Sequence, residues 1–104
     1  MKIIESTNEF NNLINSGKLC VVDLFATWCG PCRMLAPILE QVASKTEDKC
    51  IVAKVDVDEL EDIAIAYGVN TIPTLLYIKD SKLLEKSVGL RSEEQILATI
   101  EKYI

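Results

Sequence analysis

The run KLCVVDLFA, Lys18 to Ala26, constrains the fold more than any other segment. Apart from Lys18 and Asp23 it is apolar throughout, with neither the alternation of a half-exposed strand nor the period of a surface helix. It therefore reads as a strand covered on both faces. Such a strand needs a layer of structure on either side, which is what helices packed on a largely parallel sheet provide. CIVAKVDV, Cys50 to Val57, is a second segment of the same kind.

The remaining segments fit around these two. KIIES is a short strand candidate. Ser6 and Glu9 have the spacing of a capping box, and Phe10, Leu13 and Ile14 recur at helical period until Gly17. From Pro31 the pattern turns helical, with Met34, Leu35, Ile38, Leu39 and Val42 as one stripe. Pro37 inside it removes a backbone donor. DELEDIAIAYGV reads as a short helix with acids in its first turn and Gly68 as its stop. TLLYIKDSKLLEKSV reads as two antiparallel strands around a tight turn. Ser92 and Gln95 form a second capping box, ahead of a helix striped by Ile96, Leu97, Ile100 and Ile104. The order is β-α-β-α-β-α-β-β-α, an α/β chain with a parallel core and a terminal antiparallel pair.

At 104 residues, with no linker or repeat, the chain is expected to be one domain spanning residues 1–104. Its 49% hydrophobic and 26% charged residues suit a globular protein. A net charge of −5 argues against a nucleic-acid partner, which calls for clustered Lys and Arg. MKIIESTNEFNN lacks the apolar core of a signal peptide, and no run is long enough to cross a bilayer. The expectation is a cytoplasmic chain with no membrane association. In that compartment thiols stay reduced, and a C-x-x-C pair is catalytic or metal-binding rather than structural.

That pair is Cys29 and Cys32, in WCGPC, where a buried strand gives way to a helix. On the first helical turn the two face the same way and lie close enough to form a disulfide. Pro31 is tolerated there because first-turn N–H groups have no intrahelical acceptor. Those same N–H groups stabilise an anion, so Cys29 is expected to be the reactive thiolate, and Cys32, one turn further in, the better shielded thiol. The alternative, a structural zinc half-site, requires four ligands. Histidine is absent, and only Cys20 and Cys50 remain as further soft ligands, each heading an apolar strand. Both read as core residues.

Asp23 is a carboxylate inside an apolar strand. Desolvation raises a carboxyl pKa, and a group poised near neutrality can exchange protons with a thiol in a chain that has no histidine. The competing reading is an aspartate satisfied by backbone N–H groups at a strand end. Lys54 reads either as a solvent-facing strand position or as a neighbour of Asp23 on the adjacent strand. Pro73 either simply opens a strand or carries a cis bond after Ile72. Trp28 is a packing anchor or a docking surface beside the thiol.

WCGPC, preceded by VVDLFAT and followed by RMLAPILEQVA, closely resembles the thioredoxin family. VAKVDVDE, YGVNTIPTLLYIKD and SVGLRSEEQI fall in the family's order and spacing along the whole chain. The resemblance implies the thioredoxin fold, a central five-stranded mixed sheet flanked by four helices. It implies a protein-disulfide reductase that maintains cytosolic thiols and donates electrons to reductive enzymes, with Cys29 as nucleophile and Cys32 as resolving cysteine in a redox-active disulfide. Asp23 would transfer the proton and Lys54 would modulate it. A substrate surface would comprise Trp28, Gly30, Pro31, Thr71, Ile72, a cis Pro73, Val88 and Gly89. No bound cofactor or metal is implied; a thioredoxin reductase drawing on NADPH through a flavin would restore the dithiol. The partners would be that reductase and disulfide-bearing proteins, and the chain a monomer.

Two rivals share the fold. An oxidase or isomerase would carry a histidine between the cysteines in place of Gly30-Pro31. A redox-gated binding subunit would use the same surface without turnover. Two departures from the family pattern stand out. Leu24-Phe25 replaces an aromatic pair, and KDSK lacks the glycine usual in the last hairpin.

Overall fold

The computed structural model describes residues 1–104. In chain order the elements are β1 (Lys2–Ile3), α1 (Thr7–Ile14), β2 (Leu19–Phe25), α2 (Gly30–Thr46), β3 (Cys50–Asp56), α3 (Glu61–Ala66), β4 (Thr74–Lys79), β5 (Lys82–Val88) and α4 (Glu93–Tyr103). The strands form one sheet in the order β1-β3-β2-β4-β5. β1, β3 and β2 run parallel, β4 runs antiparallel to β2, and β5 antiparallel to β4. β2 is central and fully flanked, as its apolar run requires.

β4 does not extend the parallel core, because α3 is too short to carry the chain back. Six helical residues span about 9 Å, whereas a seven-residue strand covers about 23 Å. The chain therefore stays at the end where β2 and β3 finish, and β4 starts there, with Thr74 opposite Leu24.

Period-two alternation along β2 divides the core. Cys20, Val22 and Leu24 face α1 and α3, packing with Phe10, Ile14 and Ile63. Leu19 and Val21 face α2 and α4, packing with Leu35, Leu39, Val42, Ile96 and Ile100. Met34 and Ile104, expected in helix stripes, are instead exposed. Cys20 and Cys50 are buried free thiols on opposite faces of the sheet. The Cys20 thiol donates to the Leu13 carbonyl at 3.2 Å and the Cys50 thiol to Thr46 Oγ1 at 3.3 Å. Burial pushes both thiol pKa values up, which keeps them protonated and inert.

Local signals mostly did what their chemistry dictates. Ser92 and Gln95 form both halves of a capping box. At α1 only half of one forms: Ser6 Oγ accepts from Glu9 N, but the Glu9 carboxylate turns back to Glu5 N. The glycine-free KDSK turn places Asp80 and Ser81 in the left-handed region, at φ 50° and 65°. That region is costly for non-glycine residues. Ties to the end of α1 offset the cost: Ser81 N donates to the Ile14 carbonyl at 2.9 Å, and Ser81 Oγ meets Asn15 Oδ1.

Candidate active site

The buried strand β2 ends at Phe25, and a short loop carries the chain into α2. Cys29 is the N-cap of α2, one residue before the first helical turn where the sequence pattern set it. Its sulfur accepts from Cys32 N at 3.2 Å. Pro31 falls within the first turn, where it removes no intrahelical bond. Cys29 and Cys32 are joined as a disulfide, with their Cα atoms 5.2 Å apart. A negative charge on Cys29 would meet that N–H and the positive end of a seventeen-residue helix.

Shielding does not separate the two sulfurs, since Cys29 is 5% and Cys32 4% exposed. Their neighbours do. Cys29 Sγ lies 3.8 Å from the Ile72 carbonyl oxygen, at the surface loop. Cys32 lines a separate, partly open pocket of ≈ 240 Å³ with Phe25, Arg33, Ala36 and Lys54.

Asp23 belongs to the β2 row that faces α2 and is 1% exposed. Its Oδ1 has no hydrogen-bond partner, so the reading in which backbone N–H groups satisfy the whole carboxylate does not hold. Burial raises its pKa from 3.8 to about 7, against an opposing pull from the Lys54 charge. Lys54 sits directly beside Asp23 in the β2–β3 register, so both side chains share a face. The two form no direct ion pair. The Lys54 ammonium lies instead 4.4 Å from the Phe25 ring centroid, a cation–π contact that also anchors it. Replacing Lys54 with Met removes the charge that favours ionised Asp23. The Asp23 titration midpoint, followed by carboxyl NMR, should then rise further above about 7; a midpoint that fell would contradict this coupling.

The loop facing the cysteines holds a cis Ile72–Pro73 bond. Thr74 Oγ1 donates to the Thr71 carbonyl at 2.6 Å, and Gly89 N donates to the Pro73 carbonyl at 2.8 Å. The second bond fastens the Val88-Gly89 end of β5 to the proline. Gly89 has φ 91°, which favours glycine at this closure. Ile72 takes part in no backbone hydrogen bond. Its N–H and C=O are thus open for an extended partner chain.

Trp28 is 68% exposed, and its indole Nε1 donates to Asp58 Oδ2 at 2.9 Å. The ring is held, yet its face is open. The structure brings together Cys29, Cys32, Trp28, Gly30 and Pro31 on one side and Thr71, Ile72, Pro73, Val88 and Gly89 on the other, with Asp23 and Lys54 behind α2. Sequence reasoning missed Asp58 and Arg33, whose Nη1 donates to the Thr27 carbonyl at 3.0 Å. In sequence each is one charge among several, and nothing singled it out.

The sequence model of one family, Thioredoxin, matches residues 1–102. Thioredoxin of Bacillus subtilis is 38% identical over 104 residues, covering 100% of both chains. Thioredoxin of Staphylococcus aureus is 40% identical over 105 residues, again covering 100% of both. Mitochondrial thioredoxin of Mus musculus is 43% identical over 94 residues, which is 90% of this chain and 57% of that one. Among solved structures, Fasciola hepatica thioredoxin superposes with a TM-score of 0.92 at 39% identity, covering 100% of both chains. A Nicotiana alata thioredoxin gives 0.88 at 39% identity, covering 98% of this chain and 90% of that one.

Proposed function

The chain belongs to the thioredoxin family, and from that premise we propose the course of its reaction. It is a thiol–disulfide oxidoreductase that works through its own cysteine pair. The reading as a binding subunit without turnover is not favoured.

In the reduced protein the Cys29 thiolate attacks one sulfur of a substrate disulfide. A mixed disulfide forms, and the other substrate sulfur leaves as a thiolate that takes up a proton. The Cys32 thiol then gives its proton to Asp23 and attacks Cys29. The mixed disulfide breaks, the second substrate sulfur leaves as a thiolate that takes up a proton, and Cys29–Cys32 remains oxidised. Two electrons pass to the substrate in each cycle. Asp23 suits this step because a carboxyl with a pKa of about 7 is an acceptor matched to neutral pH. Lys54 keeps that value from rising beyond use.

The observation that carries this reading is the Cys29 sulfur at the α2 N-cap, 3.8 Å from the unpaired backbone of Ile72. A substrate strand laid along Ile72 would bring its disulfide to Cys29. Backbone pairing gives affinity without demanding a sequence. Trp28, Gly30, Pro31, Thr71, Pro73, Val88 and Gly89 form the rest of the docking surface. An external thioredoxin reductase, drawing on NADPH through a flavin, restores the dithiol. The protein acts as a cytoplasmic monomer, a single domain over residues 1–104.

Reduction of insulin disulfides, with NADPH and a thioredoxin reductase as the electron source, tests this reading. Turnover that requires both cysteines is expected. Folded protein that leaves insulin oxidised under those conditions would sink it.

A further inference from the structure

Beside Trp28 the surface continues into a groove of ≈ 280 Å³ that the redox chemistry does not use. Its lining is mostly apolar, from Trp28, Val57, Ala64, Ile65, Val69 and Ile72, with Asn70 and Glu61 as the polar members, and Ile65 is left 76% exposed. Trp28 and Ile72 also belong to the proposed docking surface, so a substrate lying there reaches the groove without a break. No cation lines it. Glu61 sits at its edge and makes neither an ion pair nor a hydrogen bond. Asp58, bonded to the Trp28 indole, is the next carboxylate along.

These features decide between occupants. A purely apolar side chain would suit the floor but would leave the exposed Glu61 carboxylate without a partner. An acidic one would add like-charge repulsion. A lysine or arginine satisfies both parts: its aliphatic stem lies on Ile65 and Val69 while its charged head meets Glu61 and the face of Trp28.

We propose that this groove is a cation subsite that selects disulfide-bearing segments carrying a Lys or Arg close to the cysteine Cys29 attacks. The proposal rests on the docking orientation above and names the substrate class it favours.

Two disulfide-closed peptides test it, identical except that one carries Arg and the other Glu on both sides of the reactive cysteine. Their kcat/KM values are each divided by the rate with a small neutral disulfide, bis(2-hydroxyethyl) disulfide. At low salt the Arg peptide should be favoured by about tenfold, and in molar salt, where the screening length falls to about 3 Å, the preference should collapse. Glu61→Gln should shrink the ratio, and Glu61→Lys should abolish or invert it. A ratio near one in the unaltered protein, or one that survives Glu61→Lys, overturns the subsite while reduction of the small disulfide leaves the redox reading standing. Failure to reduce the small disulfide as well removes the redox reading itself.

Discussion

Replacing Cys32 with serine should turn a reductase into a covalent trap. Cys29 keeps the Cys32 backbone N–H at 3.2 Å and its place at the α2 N-cap, since neither depends on the Cys32 side chain. Attack on a substrate disulfide therefore proceeds, and the mixed disulfide forms. Its resolution is what disappears. In the unaltered protein the second thiol is already held one helical turn away, with the two Cα atoms 5.2 Å apart. Well-oriented intramolecular reactions of this kind correspond to effective concentrations far above any free thiol, roughly 10⁵ M and upward. A millimolar external thiol cannot replace that, and multiple turnover should fall by more than about 10³-fold. Incubated with a disulfide-bearing protein, the variant should give a species of summed mass that dithiothreitol cleaves. Cys29→Ser should give none. Adducts of equal yield from Cys29→Ser, or no adduct from Cys32→Ser, would reverse or remove the assignment of attacking and resolving sulfurs.

How much of this was legible beforehand depends on whether the signal was local. The unbroken apolar run of β2 already demanded a central strand with helices on both sides, and the fold meets that demand. The Ser92–Gln95 cap is written in residues three apart and formed in full. The direction of β4 was not legible from alternation alone, since it turns on the length of α3 and hence on which end of the sheet the chain occupies when β4 begins. The helix stripes over-reached at Met34 and Ile104, because period assigns a face but not where the neighbouring layer stops. At the site, Cys29, Cys32 and Asp23 stood out as misfits or motifs. Asp58 and Glu61 did not, because in DVDELED their neighbours are equally acidic and only the fold turns one toward an indole and the other toward a groove. The shielding expected to separate the two cysteines was absent; surroundings, which no spacing encodes, distinguish them.

Asp23→Asn should make the oxidised protein more stable, by an amount that grows with pH. The Asp23 pKa is raised from 3.8 to about 7 in the folded chain, chiefly by burial. Between those values the folded protein holds a proton that the unfolded chain has released. Stability therefore falls as pH rises through this window, at about 1.4 kcal/mol per unit, and about three units give a loss near 4 kcal/mol. The contribution is whole below pH 4 and gone above the folded pKa. Asparagine has no proton to lose, so its advantage should be small at pH 4, reach about 4 kcal/mol by pH 8 and then level off. Urea unfolding of both proteins at pH 4, 5.5, 7 and 8 measures it, and a difference that stays flat across that range would refute the raised pKa. The same variant carries the functional half of the expectation. With no carboxylate to receive the Cys32 proton, decay of the mixed disulfide should slow while its formation does not. Equal slowing of both steps would mean that Asp23 supports the site only structurally. The burial of Asp23 explains why the two effects belong together: the desolvation that makes the ionised residue costly in the core is what lets it take a proton at neutral pH.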